Sequence, residues 1–217
     1  MRAASAGDAN ARSVFARTYL PPIRAYLGHR WSNSNQSHAI DDAVQDVFVE
    51  CMKPNGVLDH ADPARGDFRA LLYGVVRNIA RRFEKLAARP SHLQPAQSVY
   101  LDELPAQHEA LSRVFDGAWA RSLLREAVLR HARAARRGDD DSRRRYRILR
   151  LRHQKGLPIR EISAHLDESD VDAVHNAYRR GRREFREYLR EVVAQHTGAA
   201  SDSLDAECRR VTELLGS

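Results

Sequence analysis

The sequence predicts an all-α protein built as two small helical domains. Apolar side chains recur at three- and four-residue spacing through most of the 217 residues. Alternating, β-branched strand patterns are scarce. Pro, Gly, Ser and Asn gather in short runs that separate the periodic stretches. A chain of this length holds one large or two small domains. A hydrophobic content of 42% is enough to build their cores.

The first predicted helix covers 13–31, with Val14, Phe15, Tyr19, Ile23, Tyr26, Leu27 and Trp31 on one stripe. Pro21-Pro22 interrupts it, and a proline inside a helix removes a backbone bond, so a kink or restart is expected there. Residues 32–37, all polar after Trp31, read as a loop. The next helix, 39–53, turns Ile40, Val44, Val47, Phe48 and Cys51 inward and shows Asp42, Gln45, Asp46 and Val49 on another face. Pro54-Asn55-Gly56 stops it, and a loop over 57–67 follows. A third helix, 67–87, buries Phe68, Leu71, Leu72, Val75, Val76, Ile79 and Phe83, leaving Arg69, Arg77, Asn78, Arg81, Arg82 and Lys85 outside. Pro90 closes a first domain at 1–90.

Residues 91–117 show no strong period and read as a flexible acidic linker with Asp102, Glu103 and Glu109. The second domain, 118–193, opens with a helix over Trp119–Ala135. A polar break at 136–142 leads to a helix over Arg143–Gln154, which ends before Gly156. A short amphipathic helix then carries Ile159, Ile162 and Leu166, with Pro158 suited to its first turn. Asp167-Glu168-Ser169-Asp170 forms a turn, and Ser169 or Asp170 can cap the next helix. That helix sets Val171, Val174, Tyr178, Phe185 and Leu189 inward and crowds its other sides with arginine. The tail, 194–217, is acidic, and Leu204–Leu215 can form one amphipathic helix.

Short helix, tight turn and long basic helix together have the form of a helix-turn-helix, whose second helix enters the DNA major groove. A helical hairpin with a solvated arginine face, paired to Glu184 and Glu187, is the alternative. Charge favours DNA. Residues 119–190 carry 20 Lys and Arg against 11 Asp and Glu, a net +9, whereas 99–118 and 191–217 each total −3.

Other classes find little support in the residues. Cys51 and Cys208 make no disulfide framework and have no metal-ligand spacing; Cys51 falls on an apolar face. No signal-peptide run or membrane span is visible, so a cytoplasmic protein without membrane attachment is expected. The ten histidines are scattered, with His131, His153 and His165 on helix faces, and no nucleophile motif, phosphate loop or metal motif occurs. Neither an enzyme nor a cofactor or metal site is expected.

Two stretches are more specific. Residues 41–49 read Asp-Asp-Ala-Val-Gln-Asp-Val-Phe-Val, and 68–78 read Phe-x-x-x-Leu-x-x-x-x-Arg-Asn, both ahead of a four-helix unit with the basic helix-turn-helix. Together they resemble an extracytoplasmic-function sigma factor of bacterial RNA polymerase, across about 13–90 and 115–193. The resemblance implies a region-two domain that docks Asp42, Gln45, Asp46 and Val49 on the clamp helices of the polymerase's largest subunit. It implies that Arg65, Phe68, Arg77, Asn78, Arg81, Arg82 and Lys85 open and read the minus-ten element, with Phe68 or Tyr73 stacking on an unstacked base or Phe68 serving as core. The region-four domain would meet the flap of the second-largest subunit. It would read the minus-thirty-five duplex with Asp172, His175, Asn176, Arg179, Arg180, Arg182 and Arg183. The linker resembles the segment threaded near the RNA exit path. An anti-sigma factor or other regulator is a further implied partner, beside core polymerase and promoter DNA. The sequence departs from the family at Leu71, where Trp is usual, at Arg82, where an acid or amide is usual, and in the turn at 167–170, which is one residue longer than is usual. A stand-alone helix-turn-helix regulator, with 1–90 as a sensory or dimerisation domain, is the alternative function.

Overall fold

All regular structure among the described residues is helical. The computed structural model describes residues 9–54, 56–57, 68–88, 105–197 and 201–216. The helices are α1 (Ala9–Arg30), α2 (Ile40–Met52), α3 (Phe68–Ala87), α4 (Pro105–Arg137), α5 (Asp140–Gln154), α6 (Ile159–His165), α7 (Val171–Thr197) and α8 (Ser201–Gly216), with a 3-10 turn at Ser37–Ala39. By internal contacts the chain divides into two units, one of Met1–Ser122 with Ala194–Ser217 and the other of Leu123–Val193.

In the first unit, α1, α2 and α3 enclose an aromatic core. Phe15, Tyr19, Ile23, Tyr26, Leu27 and Trp31 are all buried, as the α1 stripe predicts, while Val14 is half-buried. Phe15 meets Phe48 of α2 edge-on at 5.7 Å, and Tyr19 meets Phe68 of α3 at 5.3 Å. Burial of each such ring contributes roughly 1.5–3 kcal/mol, and edge-to-face geometry adds to it. This packing accounts for the first departure from expectation. Helix α1 does not restart at Pro21-Pro22 but continues through both. Two N–H groups are lost there, yet Tyr19 and Ile23 on either side are fully buried and hold the helix to α2 and α3.

Polar groups at the core's edge are paired. Arg30 is buried and donates to both carboxylate oxygens of Glu84, at 2.6 and 2.7 Å, while the Trp31 indole donates to Glu84 Oε1 at 2.8 Å. Arg69, expected outside, is buried instead. It forms an ion pair with Asp116 and lies over the Trp119 ring at 5.2 Å. Leu71, expected inside, is 42% exposed. Cys51 is fully buried as expected, and loss of water pushes its thiol up to about 12. After α2 the backbone folds over Gly56, where a Cβ would lie 2.6 Å from the Lys53 carbonyl oxygen.

The expected linker is helical from Pro105 onward, and α4 runs on without a break to Arg137. Its first part packs in the first unit, where Tyr73 meets Phe115 edge-on at 5.5 Å. Residues 91–104, with Pro90, Asp102 and Glu103, lie outside the described residues. The tail also belongs to this unit: Tyr19 faces His196 with 3.3 Å between hydroxyl and Nδ1, and Val211 of α8 is fully buried.

In the second unit, the end of α4 packs with α5, α6 and α7. His131 is buried between Tyr146, Phe185 and Tyr188, stacked on Tyr188 at 5.2 Å. Glu184 approaches its Nε2 to 3.5 Å without hydrogen-bond geometry, so neither ring nitrogen has a hydrogen-bond partner. Burial holds its pKa below the ordinary value, against the opposing pull of Glu184.

Candidate nucleic-acid interface

Three surfaces carry the residues singled out from the sequence. The first is built on α5, α6 and α7. Ile148 and Leu151 of α5, Ile162 of α6, and Val174 and Ala177 of α7 form its core, with Leu157, Ile159, Leu166 and Tyr178 packed around them. Asp139 starts α5 by accepting from the Ser142 N–H at 2.8 Å; that bond and the Ser142 hydroxyl hold its carboxyl below the usual range. Gly156 ends the segment in a left-handed conformation, φ 69°, which suits a residue without Cβ. Pro158 is the extended N-cap of α6 rather than part of its first turn.

The turn between α6 and α7 is firmly tied. Asp167 takes a left-handed φ of 54°, which aspartate tolerates better than most residues. The Glu168 N–H donates to the Ser163 carbonyl at 3.0 Å, and the buried Ser163 hydroxyl donates to the Glu168 carbonyl. Arg144 of α5 grips the Glu168 carboxylate with Nε at 2.7 Å and a second contact from Nη2. That pairing lowers the Glu168 pKa and raises that of Arg144. The turn is therefore held by a left-handed bend at Asp167 and two anchors, Ser163 and Arg144. Asp170, of the two candidates, caps α7 by accepting from the Ala173 N–H at 2.9 Å.

Helix α7 sits close to α5 at Gly181, where a Cβ would lie 3.2 Å from the Arg145 carbonyl oxygen. Arg145 also donates from Nε to Glu184 at 2.7 Å. Glu184 thus pairs with α5 rather than with the outer arginines, and Val171, expected inside, is 37% exposed. On the outward side Asp172, His175, Asn176, Arg179, Arg180, Arg182 and Arg183 are all exposed. Asn176, Arg179, Arg180, Arg182, Arg183 and Arg186 line an open groove of about 410 Å³. Arg182 lies over the Tyr178 ring at 5.8 Å, and His153 stacks behind that ring at 6.0 Å. Arg179, Arg180, Arg183 and Arg186 have no carboxylate partner among the described residues. Arg186 was not among the sequence candidates for DNA, although it follows Arg179 and Arg183 at helical spacing.

The second surface is on α2. Asp42, Gln45 and Val49 are exposed on one face, Val49 to 57%. Asp46 lies on the same face but is ion-paired with Arg82 of α3. The third surface is the outer side of α3, where Asn78, Arg81, Arg82, Lys85 and Leu86 line a groove of about 440 Å³. Arg77 and Arg81 both have partners within the chain. Of the two aromatic rings considered for base stacking, Phe68 is buried and Tyr73 half-buried. Phe68 is 7% exposed within the α1–α3 core, so its inclusion among the minus-ten residues is corrected to a packing role. Tyr73 is enclosed by Tyr26, His108 and Phe115. Arg65 and the 62–67 loop lie outside the described residues. Among the described residues no cluster of metal-ligating side chains occurs and no helix is long and apolar enough to cross a membrane.

No protein-family model matches the chain, and neither a curated protein nor a solved structure gives a match.

Proposed function

We propose that the chain is a promoter-recognition subunit of bacterial RNA polymerase, of the extracytoplasmic-function sigma type. The observation that carries the reading is the outer face of α7. A helix-turn-helix places Asn176 beside a cluster of exposed arginines that no internal carboxylate neutralises. Such a face offers bidentate donors to base edges and cations to phosphates. The exposed Asp42–Val49 face narrows the reading from DNA binding to polymerase docking, since carboxylates, an amide and a bare apolar side chain suit a basic partner helix. The groove on α3 supplies Asn78, Arg82 and Lys85 to a separated strand near the minus-ten element.

The test is run-off transcription on a promoter library with core polymerase, with and without this protein. Promoter-specific transcripts that need the protein support the reading; their absence, with tight binding to a duplex operator unaffected by core polymerase, would move it to a stand-alone regulator. That second reading is favoured by one observation, that the helix-turn-helix unit has its own core. The docking face is tested separately. Asp42→Arg with Asp46→Arg should abolish capture of core polymerase while helicity and melting stay near wild type.

A further inference from the structure

A second basic surface lies on α5. From Ser142 to Lys155 the sequence contains no acidic residue. The arginines that α5 turns toward its neighbours are all engaged: Arg144 with Glu168, Arg145 with Glu184, and Arg152 with the Leu157 carbonyl at 3.1 Å. Arg143, Arg147 and Arg150 are different. Spaced i, i+4, i+7, they share one exposed stripe of α5. Arg143 is braced by the Gly138 carbonyl at 2.6 Å and by Asp140 at 2.5 Å, whose side chain is itself 98% exposed. Arg147 and Arg150 have no partner among the described residues. At 1.5 Å rise per residue the stripe is about 10 Å long.

Its direction follows from the helix contacts. Helix α5 meets α7 through Arg145, on the side opposite the stripe, and through His153, which flanks the stripe one turn after Arg150. Helix α7 meets α5 through Tyr178, Gly181 and Glu184, opposite Asn176, Arg179 and Arg183. The two basic faces are therefore separate surfaces of one unit, turned in different directions. Except for Lys155, every Lys or Arg between Leu123 and Val193 is arginine, whose planar fork matches phosphate oxygens.

We propose that the Arg143–Arg147–Arg150 stripe is a second phosphate-binding surface, which takes the backbone of duplex DNA on a face of the unit separate from that of α7. It stands on α5 alone and does not depend on the promoter reading. The stripe has no aromatic ring on which a separated base could stack, since Tyr146 packs against His131, so its phosphates are those of duplex DNA, with single-stranded RNA as the competing probe.

The experiment uses the full chain with Arg143, Arg147 and Arg150 replaced by Gln, in wild-type and in Arg179→Ala/Arg183→Ala backgrounds. A charge-matched control replaces the exposed Arg17, Arg121 and Arg209 by Gln. Labelled random-sequence duplex DNA and labelled single-stranded RNA are titrated over a salt series. Each lost phosphate contact lowers the salt slope by about 0.9 for duplex or about 0.7 for a single strand, so the triple variant should lose roughly 2 to 3 in slope on duplex DNA. The control should keep the wild-type slope, and the loss should persist in the α7 background. Because the three side chains are exposed, melting should be unchanged; the single Arg150→Gln variant, expected to lose about one contact, serves if it is not. An unchanged slope on duplex DNA overturns the proposal, even where the slope on single-stranded RNA falls, as does an equal loss in the control. Retained nucleic-acid slopes with loss of poly-glutamate binding would assign the stripe to an acidic protein and also overturn it.

Discussion

Helices α3 and α7 carry similar outward side chains, an asparagine followed by closely spaced arginines, but use them differently. On α3 the charge is largely committed within the chain: Arg82 is paired with Asp46, and Arg77 and Arg81 also have partners. On α7 Glu184 turns toward Arg145 and His131, and the exposed Glu187 pairs with Arg190, so Arg179, Arg180, Arg183 and Arg186 are left without a carboxylate partner among the described residues. The difference arises from neighbours rather than from local composition. An acidic α2 lies beside α3, whereas α7 is seated on a helix that brings arginine to the interface. A bare arginine face attracts phosphate without first breaking an internal pair, whereas a paired one must exchange one partner for another.

The strongest way to break the contrast is to remove charge from α7. Arg179→Ala with Arg183→Ala should weaken binding to a cognate promoter duplex on the order of 10- to 100-fold and reduce the salt slope by about 2, with capture of core polymerase unchanged. Filter binding across a salt series reads both. Next comes the seat of α7. Gly181→Leu forces a side chain against the Arg145 carbonyl, and overpacking of this kind typically costs about 1–3 kcal/mol. Thermal melting should fall, and DNA affinity with it, although no outer arginine has changed.

A third effect is set by pH. His131 has a folded pKa below that of an unfolded histidine, chiefly through burial. The unfolded chain therefore binds a proton more readily than the folded one. The stability that neutral His131 contributes is complete above about pH 6.5 and is lost progressively as pH falls toward the lowered folded value. Denaturant midpoints taken down this range should decline, and His131→Phe should flatten the decline; equal slopes in both proteins would show that the buried ring is not the source. His153, also lowered by partial burial and by Arg182 and Arg152, titrates in the same direction and is controlled by His153→Gln. The smallest effect sharpens the comparison from the α3 side. Asp46→Asn leaves Arg82 unpaired, and single-stranded DNA binding should rise by no more than a few fold at low salt, since an exposed pair contributes at most about 1 kcal/mol.

The helices of this fold were legible wherever one face is apolar: the stripes of α1 and α2, and the Ile159–Leu166 spacing of α6, lie where periodicity put them. What the sequence concealed depends on distant partners. Residues 105–117 lack a clear period, and their helix is held by Tyr73 and Arg69 from more than thirty residues away. Arg69 looked like a surface cation because the residue that neutralises it, Asp116, lay in what read as a linker. Phe68 was open to either packing or stacking until Phe15 and Tyr19 were seen against it. On the α7 surface the exposed residue types were readable from helical spacing. Their freedom from partners was not, because it depends on where Glu184 and Glu168 turn.

The Asp46–Arg82 pair joins the exposed face of α2 to the groove on α3. A cation that engages Asp46 removes the internal competitor for Arg82, and an anion that engages Arg82 does the same for Asp46. By linkage, each ligand must then raise the affinity of the other by the same factor. With an exposed pair worth at most about 1 kcal/mol, that factor is bounded near fivefold.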